Sequence, residues 1–177
     1  MAEQKSLFGE SSAAAKTLIG WHASLENNKG HRARLRRAKS PNEVALLQPF
    51  HQLLSDLDAT GENVDCEPMS FVAGLLAHVD RHVGGATLPQ QMAAPKGNNP
   101  VVSPLRFRRL LEHRVLDEKF YAAMIRILRI LDGKVNLYDL ARDLYYWQIS
   151  HQYWNDRLRK QWAYHYYANA PKENKGV

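Results

Sequence analysis

The hydrophobic positions of the chain recur at the spacing of α-helices from one end to the other. Leu18, Trp21 and Leu25 lie three or four residues apart, and later apolar segments repeat this spacing. Residues so spaced share one face of a helix, whereas a half-buried strand alternates apolar and polar positions. Because no segment shows sustained alternation with β-branched residues, the pattern predicts an all-α fold with two small helical domains or subdomains, the C-terminal one a compact helical bundle.

Capping signals and helix breakers place the helices along the chain. The predicted helices of the first half cover 12–27, 31–39, a third that begins at Ser40 and is kinked at Pro49, and 68–83; those of the second half cover 104–114, 117–131, 137–148 and 151–167. Ser40 and Glu43 have the spacing of a capping box, in which each side chain accepts a hydrogen bond from the other residue's backbone N–H. Short links between the last four helices favour antiparallel neighbours, as in a bundle.

One central segment interrupts the helical pattern. Residues 84–102 are rich in Gly, Pro and Asn and carry almost no charge, which predicts a domain linker or a long loop. The expected organisation is a disordered N-terminus at 1–11, an N-terminal helical domain at 12–83, this linker, a C-terminal helical bundle at 103–168 and a tail at 169–177.

The charge of the chain is unevenly distributed. Residues 1–100 hold ten basic and ten acidic side chains, whereas residues 101–177 hold fourteen basic and eight acidic ones, so the net charge of +6 comes from the second half. Segment 29–39 carries six Lys or Arg and no acid, and segment 56–67 carries five acids and no base. A segregated basic excess of this kind is typical of proteins that bind nucleic-acid phosphates.

Helical spacing turns the arginines of the basic segments outwards. At 104–114, for example, Phe107 and Leu110 mark the core, which places Arg106 and Arg109 on the polar flank. The same reasoning for each basic helix, together with the resemblance described below, gives these candidate nucleic-acid-binding residues: Arg32, Arg34, Arg36, Arg37, Arg106, Arg109, Arg126, Arg129, Arg157 and Lys160.

The last helix interleaves tyrosine with basic residues. Arg157, Lys160, Tyr164 and Tyr167 share one outward stripe in the helical spacing. Cations neutralise phosphates, and aromatic rings stack on bases at about 1–3 kcal/mol per base, so such a stripe binds single strands without reading sequence. The alternative interpretation is a solvated helix face, although such faces usually mix both signs of charge.

The sequence holds no complete catalytic or metal-binding motif. Cys66 is the single cysteine and lies in an acidic segment that disfavours its thiolate. His78 and His82 have the spacing of two zinc ligands on a predicted helix, but a third ligand and a glutamate directly after the first histidine are missing. We therefore expect no enzyme activity, no cofactor and no metal. The sequence has no apolar run long enough for a membrane-spanning helix and no recognisable secretory signal. A cytoplasmic protein is therefore expected.

Three segments, in the same order along the chain, resemble one known family. They are RARLRRAKSPNEV; SPLRFRRLLEHR with MIRILRIL; and NLYDLARDLYYW with RLRKQWAYHYY. Over the stretch from about Trp21 to Tyr167 the chain is similar to the small subunit of the type I-E CRISPR Cascade complex, the CasB family. The resemblance implies a non-catalytic protein that packs as a dimer beside the backbone, crRNA-end and large subunits of Cascade.

The same resemblance implies a role in holding nucleic acid. The partners would be crRNA, the target DNA and the displaced DNA strand, and the protein would stabilise the R-loop, whose formation is nearly balanced in energy. The resemblance implies that the contacts to phosphate are made by Arg36, Arg37, Arg106 and Arg157. The other candidates are included only because helical spacing places them on the outward face of their helices.

Three alternatives stay open from the sequence. A helical DNA-binding transcriptional regulator would insert one arginine helix into the major groove. A pure assembly scaffold would present its arginines to acidic protein surfaces. A metal hydrolase would use His78 and His82.

Overall fold

The computed structural model describes residues 7–149 and 152–172. Its helices in the first half are α1 Ala13–Asn27, α2 Lys29–Arg37, α3 Pro41–Ala45, α4 Gln48–Asp58 and α5 Cys66–Leu76. Those in the second half are α6 Leu88–Ala93, α7 Pro104–Leu111, α8 Glu118–Ile130, α9 Leu137–Ile149 and α10 Gln152–Asn169. The strands are β1 Arg81–His82, β2 Pro95–Lys96, β3 Asn99–Pro100 and β4 Lys134–Val135. The all-α prediction is confirmed.

Local capping explains why most helices begin where the sequence predicts. The Ser40 hydroxyl accepts a hydrogen bond from the Glu43 backbone N–H at 3.2 Å, and Asp117 caps α8 through the Phe120 N–H at 2.8 Å. Instead of a kink at Pro49, the chain breaks after α3, and Pro49 lies in the first turn of α4. A proline is tolerated there because the first turn has no intrahelical acceptor for an N–H group.

Helix α5 lies at the centre of the molecule. Its residues from Pro68 to Leu76 are all buried, and it packs against α2, α3, α4, α8 and α9. One hydrophobic core runs from Phe8 in the first described turn to Tyr166 in α10, and it includes residues of both predicted domains. The division into two domains stays a prediction.

The prediction of a helix over 68–83 is wrong at its C-terminal end, because α5 stops at Leu76. The Asp80 and Arg81 backbone N–H groups donate to the Gly133 carbonyl at 2.8 and 3.1 Å. Strand β1 then pairs in parallel with β4. Gly133 and β4 lie about fifty residues after β1 in the sequence, so local patterns could not predict this pairing. A second pair of strands, β2 and β3, is antiparallel.

Residues 84–102, predicted to be a linker or a long loop, include α6. Thr87 and Gln90 form a capping box at its start, and Leu88 and Met92 are fully buried. The segment packs against α10. The Gly and Pro content of the segment indicated a loop. The helix it contains has only six residues and is stabilised by the packing of its buried side chains.

The predicted disordered N-terminus falls partly outside the described residues, which start at residue 7. Within 7–11, Phe8 is buried and its ring packs edge-on against Tyr145 at 5.0 Å. The Leu7 N–H donates to the Tyr146 hydroxyl at 3.1 Å. This described part is therefore ordered. Residues 173–177 of the predicted tail also lie outside the described part.

Candidate nucleic-acid interface

Two of the four candidate arginines on α2 face inwards. Arg32 donates through Nε to the Ala77 carbonyl at 3.2 Å, and its terminal nitrogen reaches the Val79 carbonyl at 2.7 Å. Arg36 donates through Nε to the same Ala77 carbonyl at 2.7 Å. Both terminal nitrogens also lie 2.8 Å from Asp80 Oδ1. These carbonyls follow the end of α5, where the helix offers them no N–H partner, so the two arginines cap it.

The other two arginines on α2 face solvent. Arg34 and Arg37 are exposed, and neither has an ion pair among the described residues. Leu35 is fully buried between them and fixes which way they point. Helix α2 thus divides its arginines into an inward pair that holds the helix and an outward pair with free charge.

Arg36 and Arg129 come together across the two halves of the chain. They line a cavity of about 470 Å³ with His78, Asp80 and Asp132 among its other walls. Burial, and next the charges of Arg36 and Arg129, lower the pKa of His78 to about 4. Its Nε2 atom is buried and has no hydrogen-bond partner among the described residues. The ring is therefore neutral at pH 7.

His78 and His82 do not share the helix face that the spacing of two zinc ligands implies, because α5 ends at Leu76. They lie beyond the end of α5, and His82 Nδ1 accepts a hydrogen bond from the Leu137 backbone N–H at 3.1 Å. Within residues 7–149 and 152–172, no group of three or more His, Cys, Asp or Glu could hold a metal ion.

Helix α7 presents a continuous basic surface. Arg106 and Arg109 are exposed as predicted from Phe107 and Leu110, which are buried. Arg108 is exposed as well and was missed by the sequence reasoning. The signal was present, because a helix of eight residues with only two buried side chains has a narrow apolar face that leaves the remaining positions to solvent.

Helix α8 contributes two further exposed arginines. Arg126 and Arg129 lie opposite the buried Met124 and Ile127. Neither arginine has an ion pair in the described part of the chain. The basic surface of the molecule thus includes both α7 and α8, which pack against each other.

On α10, basic and aromatic side chains line a groove of about 510 Å³. Arg157, Lys160 and Tyr164 form it together with Asp156 and Gln161. Arg157, Lys160 and Tyr164 follow one another at intervals of three and four residues, so they form one ridge along the helix. This set is called the α10 groove below.

Two arginines outside the candidate set, Arg159 and Arg142, serve the fold. Arg159 donates to the Leu111 carbonyl at 2.6 Å and pairs with Asp156 at 3.3 Å. Arg142 pairs with Asp139 and Asp143 in the interior. Burial and the neighbouring Asp139 raise the pKa of Asp143. Neither arginine could be separated from the exposed ones by sequence alone, because their partners depend on tertiary packing.

The fold and this surface define a class of protein: a helical protein with exposed basic side chains on several helices. No helix of the described residues has the length and apolar character needed to cross a membrane. A scan of protein-family models matches residues 31–167 to the family described as CRISPR-associated protein Cse2. The comparisons with curated proteins and with solved structures gave no match.

The chain therefore belongs to the Cse2 family, the small subunit of the type I-E CRISPR Cascade complex. The match starts inside α2 and ends in α10, so it includes every candidate basic residue. The resemblance read from the sequence is confirmed. The protein is a structural subunit of Cascade, and its partners include other Cascade subunits.

Proposed function

We propose that this chain is a non-catalytic Cascade subunit that binds nucleic acid without reading its sequence and stabilises the R-loop. Its ligands are the crRNA–target heteroduplex and the displaced DNA strand, and it acts as a dimer beside the backbone, crRNA-end and large subunits. Base pairing with the guide supplies the sequence specificity of such a complex, so its protein surface needs only to hold backbones.

One observation carries the proposal: exposed arginines without acidic partners on α2, α7 and α8. Four of them, Arg34, Arg37, Arg106 and Arg109, have no ion pair among the described residues. Exposed surface arginines usually share their face with acids, which lowers self-repulsion. Phosphates of a nucleic acid supply the missing negative charge, and contacts to phosphate position a strand without specifying its bases.

The inward arginines have a different role in this proposal. Arg32 and Arg36 each use Nε and one terminal nitrogen for hydrogen bonds to the residues that follow α5, Asp80 among them. We infer that this pair orients α2, so that Arg34 and Arg37 are held outwards. The Arg36 side chain also lines the cavity, together with Arg129.

The test is fluorescence-anisotropy titration of the full chain with single- and double-stranded DNA of two unrelated sequences at several salt concentrations. The variant Arg106→Gln/Arg109→Gln removes two charges from α7. We expect weaker binding to both sequences and a salt slope smaller by about 1.8 on duplex DNA, since each phosphate contact contributes about 0.9. The control Lys16→Gln/Lys96→Gln removes the same charge from exposed positions outside the candidate surface and should leave the slope nearly unchanged.

The possible outcomes separate the proposed function from its rivals. Equal losses in both double variants would show a response to net charge alone and would overturn the assigned surface. Tight binding to only one sequence would support a helical DNA-binding regulator. Absence of binding at low salt would overturn nucleic-acid binding by this chain and support an assembly scaffold.

A second experiment addresses the R-loop itself. Cascade assembled with the Arg106→Gln/Arg109→Gln subunit should release the displaced strand faster than Cascade with the Lys16→Gln/Lys96→Gln subunit, because fewer backbone contacts oppose reannealing. The R-loop lifetime can be followed by a fluorescent label on the displaced strand. Equal lifetimes would contradict the stabilising role, provided that both subunits are incorporated equally.

A further inference from the structure

The α10 groove combines a large exposed ring with positive charge. Tyr164 is 72% exposed, whereas Trp162 and Tyr166 on the same helix are buried. Its ring has no aromatic partner among the described residues. Tyr167 is also exposed, but its ring packs edge-on against Phe107 at 6.0 Å and against Tyr166 at 5.2 Å. Among the tyrosines of α10 whose side chains the structure describes, Tyr164 is therefore the one whose face stays open to a ligand.

Among the described residues that line the α10 groove, basic side chains outnumber the one acid. Asp156 pairs with Arg159 at 3.3 Å, and Arg159 is fixed by its bond to the Leu111 carbonyl. The acid is thus offset by an arginine that serves the fold. Lys160 is exposed and adds a further positive charge to the walls, which Arg157 also lines. A ligand that suits this groove carries negative charge close to a flat, unsaturated ring.

Nucleic acid has that composition, and its strandedness decides whether the ring can be used. In a duplex, both faces of each base are covered by neighbouring bases, so an exposed tyrosine finds no free face. In a single strand, a base can turn out and stack, while the adjoining phosphates meet basic side chains. Arg157 and Tyr164 are seven residues apart, about 10 Å along a helix, so phosphate and base can be held together.

We propose that the α10 groove is a single-strand site in which Tyr164 stacks on an unpaired base and Arg157 and Lys160 hold the adjoining phosphates. This proposal rests on the proposed function and makes it more specific. Of the two proposed nucleic-acid ligands, the displaced strand is the one that is single-stranded along its whole length. The α10 groove therefore takes the displaced strand, and α7 and α8 serve contacts that need only phosphate.

The test compares two variants of one residue in the full chain. Tyr164→Ala removes the ring, and Tyr164→Phe keeps it without the hydroxyl. In anisotropy titrations, Tyr164→Ala should weaken binding of single-stranded DNA by about 5- to 150-fold, the equivalent of about 1–3 kcal/mol for one stacked base. Tyr164→Phe should stay within about 2-fold of the unchanged chain, and the duplex affinity should change little in either variant.

Two further readouts separate stacking from charge. A single strand containing 2-aminopurine should lose fluorescence on binding to the unchanged chain and to Tyr164→Phe, but much less on binding to Tyr164→Ala. Lys160→Gln should lower the salt slope for single strands by about 0.7, whereas Tyr164→Ala should leave this slope unchanged. Thermal unfolding of each variant checks the fold, which a residue exposed as far as Tyr164 should not disturb.

Failure of this proposal is distinguishable from failure of the proposed function. If the unchanged chain binds both forms of DNA and Tyr164→Ala binds single strands equally well, the stacking site is refuted while the basic surface stands. Equal weakening for single and double strands would also refute a single-strand site. If the unchanged chain binds neither form at low salt, both proposals fall together.

Discussion

Gly74 is a residue at which α5 passes close to its neighbours. A Cβ atom built on it would lie 2.3 Å from the Tyr121 hydroxyl oxygen and 2.8 Å from Val44 Cγ2. Both neighbours are fully buried, so neither can move into solvent. The absent side chain therefore sets how near α3 and α8 approach the central helix.

Replacing Gly74 by alanine should destabilise the protein, although alanine normally favours a helix. We expect the free energy of unfolding to fall by about 1–3 kcal/mol, because the new methyl group overpacks the core. The control Gly20→Ala lies on the exposed face of α1 with no atom within 4 Å of the new Cβ and should stabilise by about 0.5–1 kcal/mol. Urea unfolding measures both, and a stabilising Gly74→Ala would contradict the close packing.

His78 should make stability depend on pH. Burial, together with Arg36, Arg129 and Arg32, lowers its pKa to about 4, and Asp80 opposes this only in part. In the unfolded chain the ring keeps a pKa near 6.5, so between about pH 6.5 and 4 the unfolded state binds more protons. Stability from this group is therefore complete above pH 6.5 and falls as the pH decreases.

The variant His78→Gln isolates this contribution. Since the ring is partly exposed, solvent screens the charges around it, and we expect the unchanged chain to lose about 1 kcal/mol more than the variant between pH 7 and 5. Chemical unfolding at the two pH values gives this difference. His22, whose pKa is lowered chiefly by burial, is present in both proteins and cancels. Parallel pH profiles would show that His78 does not titrate as inferred.

At the scale of elements, α2 offers a matched pair of arginines on one helix. Arg32 is bonded to the Ala77 and Val79 carbonyls, and its side chain is 18% exposed, whereas Arg34 faces solvent. Arg32→Ala should lower the free energy of unfolding by about 1–3 kcal/mol, because it removes a charged donor shared by two carbonyls. The Ala77 carbonyl then keeps only Arg36, and the Val79 carbonyl keeps only His22. Arg34→Ala should change it by less than about 0.5 kcal/mol.

The same pair should differ in binding. Arg34→Ala should lower the salt slope of duplex DNA binding by about 0.9. Arg32→Ala, measured under conditions in which this variant is folded, should lower the slope by less. Guanidinium unfolding and anisotropy titrations measure the two effects. Equal destabilisation by both substitutions would contradict the division of α2 into an inward and an outward pair.

The sequence predicts an element correctly when the contacts that define its ends lie within a few residues along the chain. The starts of α3, α7 and α8 follow from capping side chains three residues from their partners, so Ser40, Ser103 and Asp117 identified them. The end of α5 and the strand pair β1–β4 depend on Gly133, which is far away in the chain. Helix α6 was missed because Leu88 and Met92 become a buried face only through packing.

The candidate site shows the same limit. Periodicity identified the exposed arginines of α7 and α8, since Phe107 and Met124 mark the opposite face within the same helix. Periodicity could not separate Arg32 from Arg34, because the acceptor Asp80 lies 48 residues beyond Arg32. It could not show that Tyr164 is open while Tyr167 packs against Phe107.

At the scale of the whole molecule, one core joins the two halves that the composition separated. Phe71 of α5 meets Phe120 and Tyr121 of α8 at 5.6 and 5.4 Å between ring centroids. Asp65, before α5, donates its backbone N–H to the Tyr145 hydroxyl at 2.7 Å. The relative positions of the basic helices are therefore held by buried contacts, and a ligand meets a surface that is already arranged.

The capping of α5 has a consequence for which substitutions α2 tolerates. Arg32 and Arg36 each use Nε and a terminal nitrogen at once, a planar fork that the single ammonium group of lysine cannot reproduce. At Arg34 and Arg37, the proposed contacts to phosphate need only a positive charge within reach, which lysine supplies. The four arginines of this nine-residue helix thus form two pairs. Hydrogen-bond geometry decides which residues can replace Arg32 and Arg36, whereas charge alone decides it at Arg34 and Arg37.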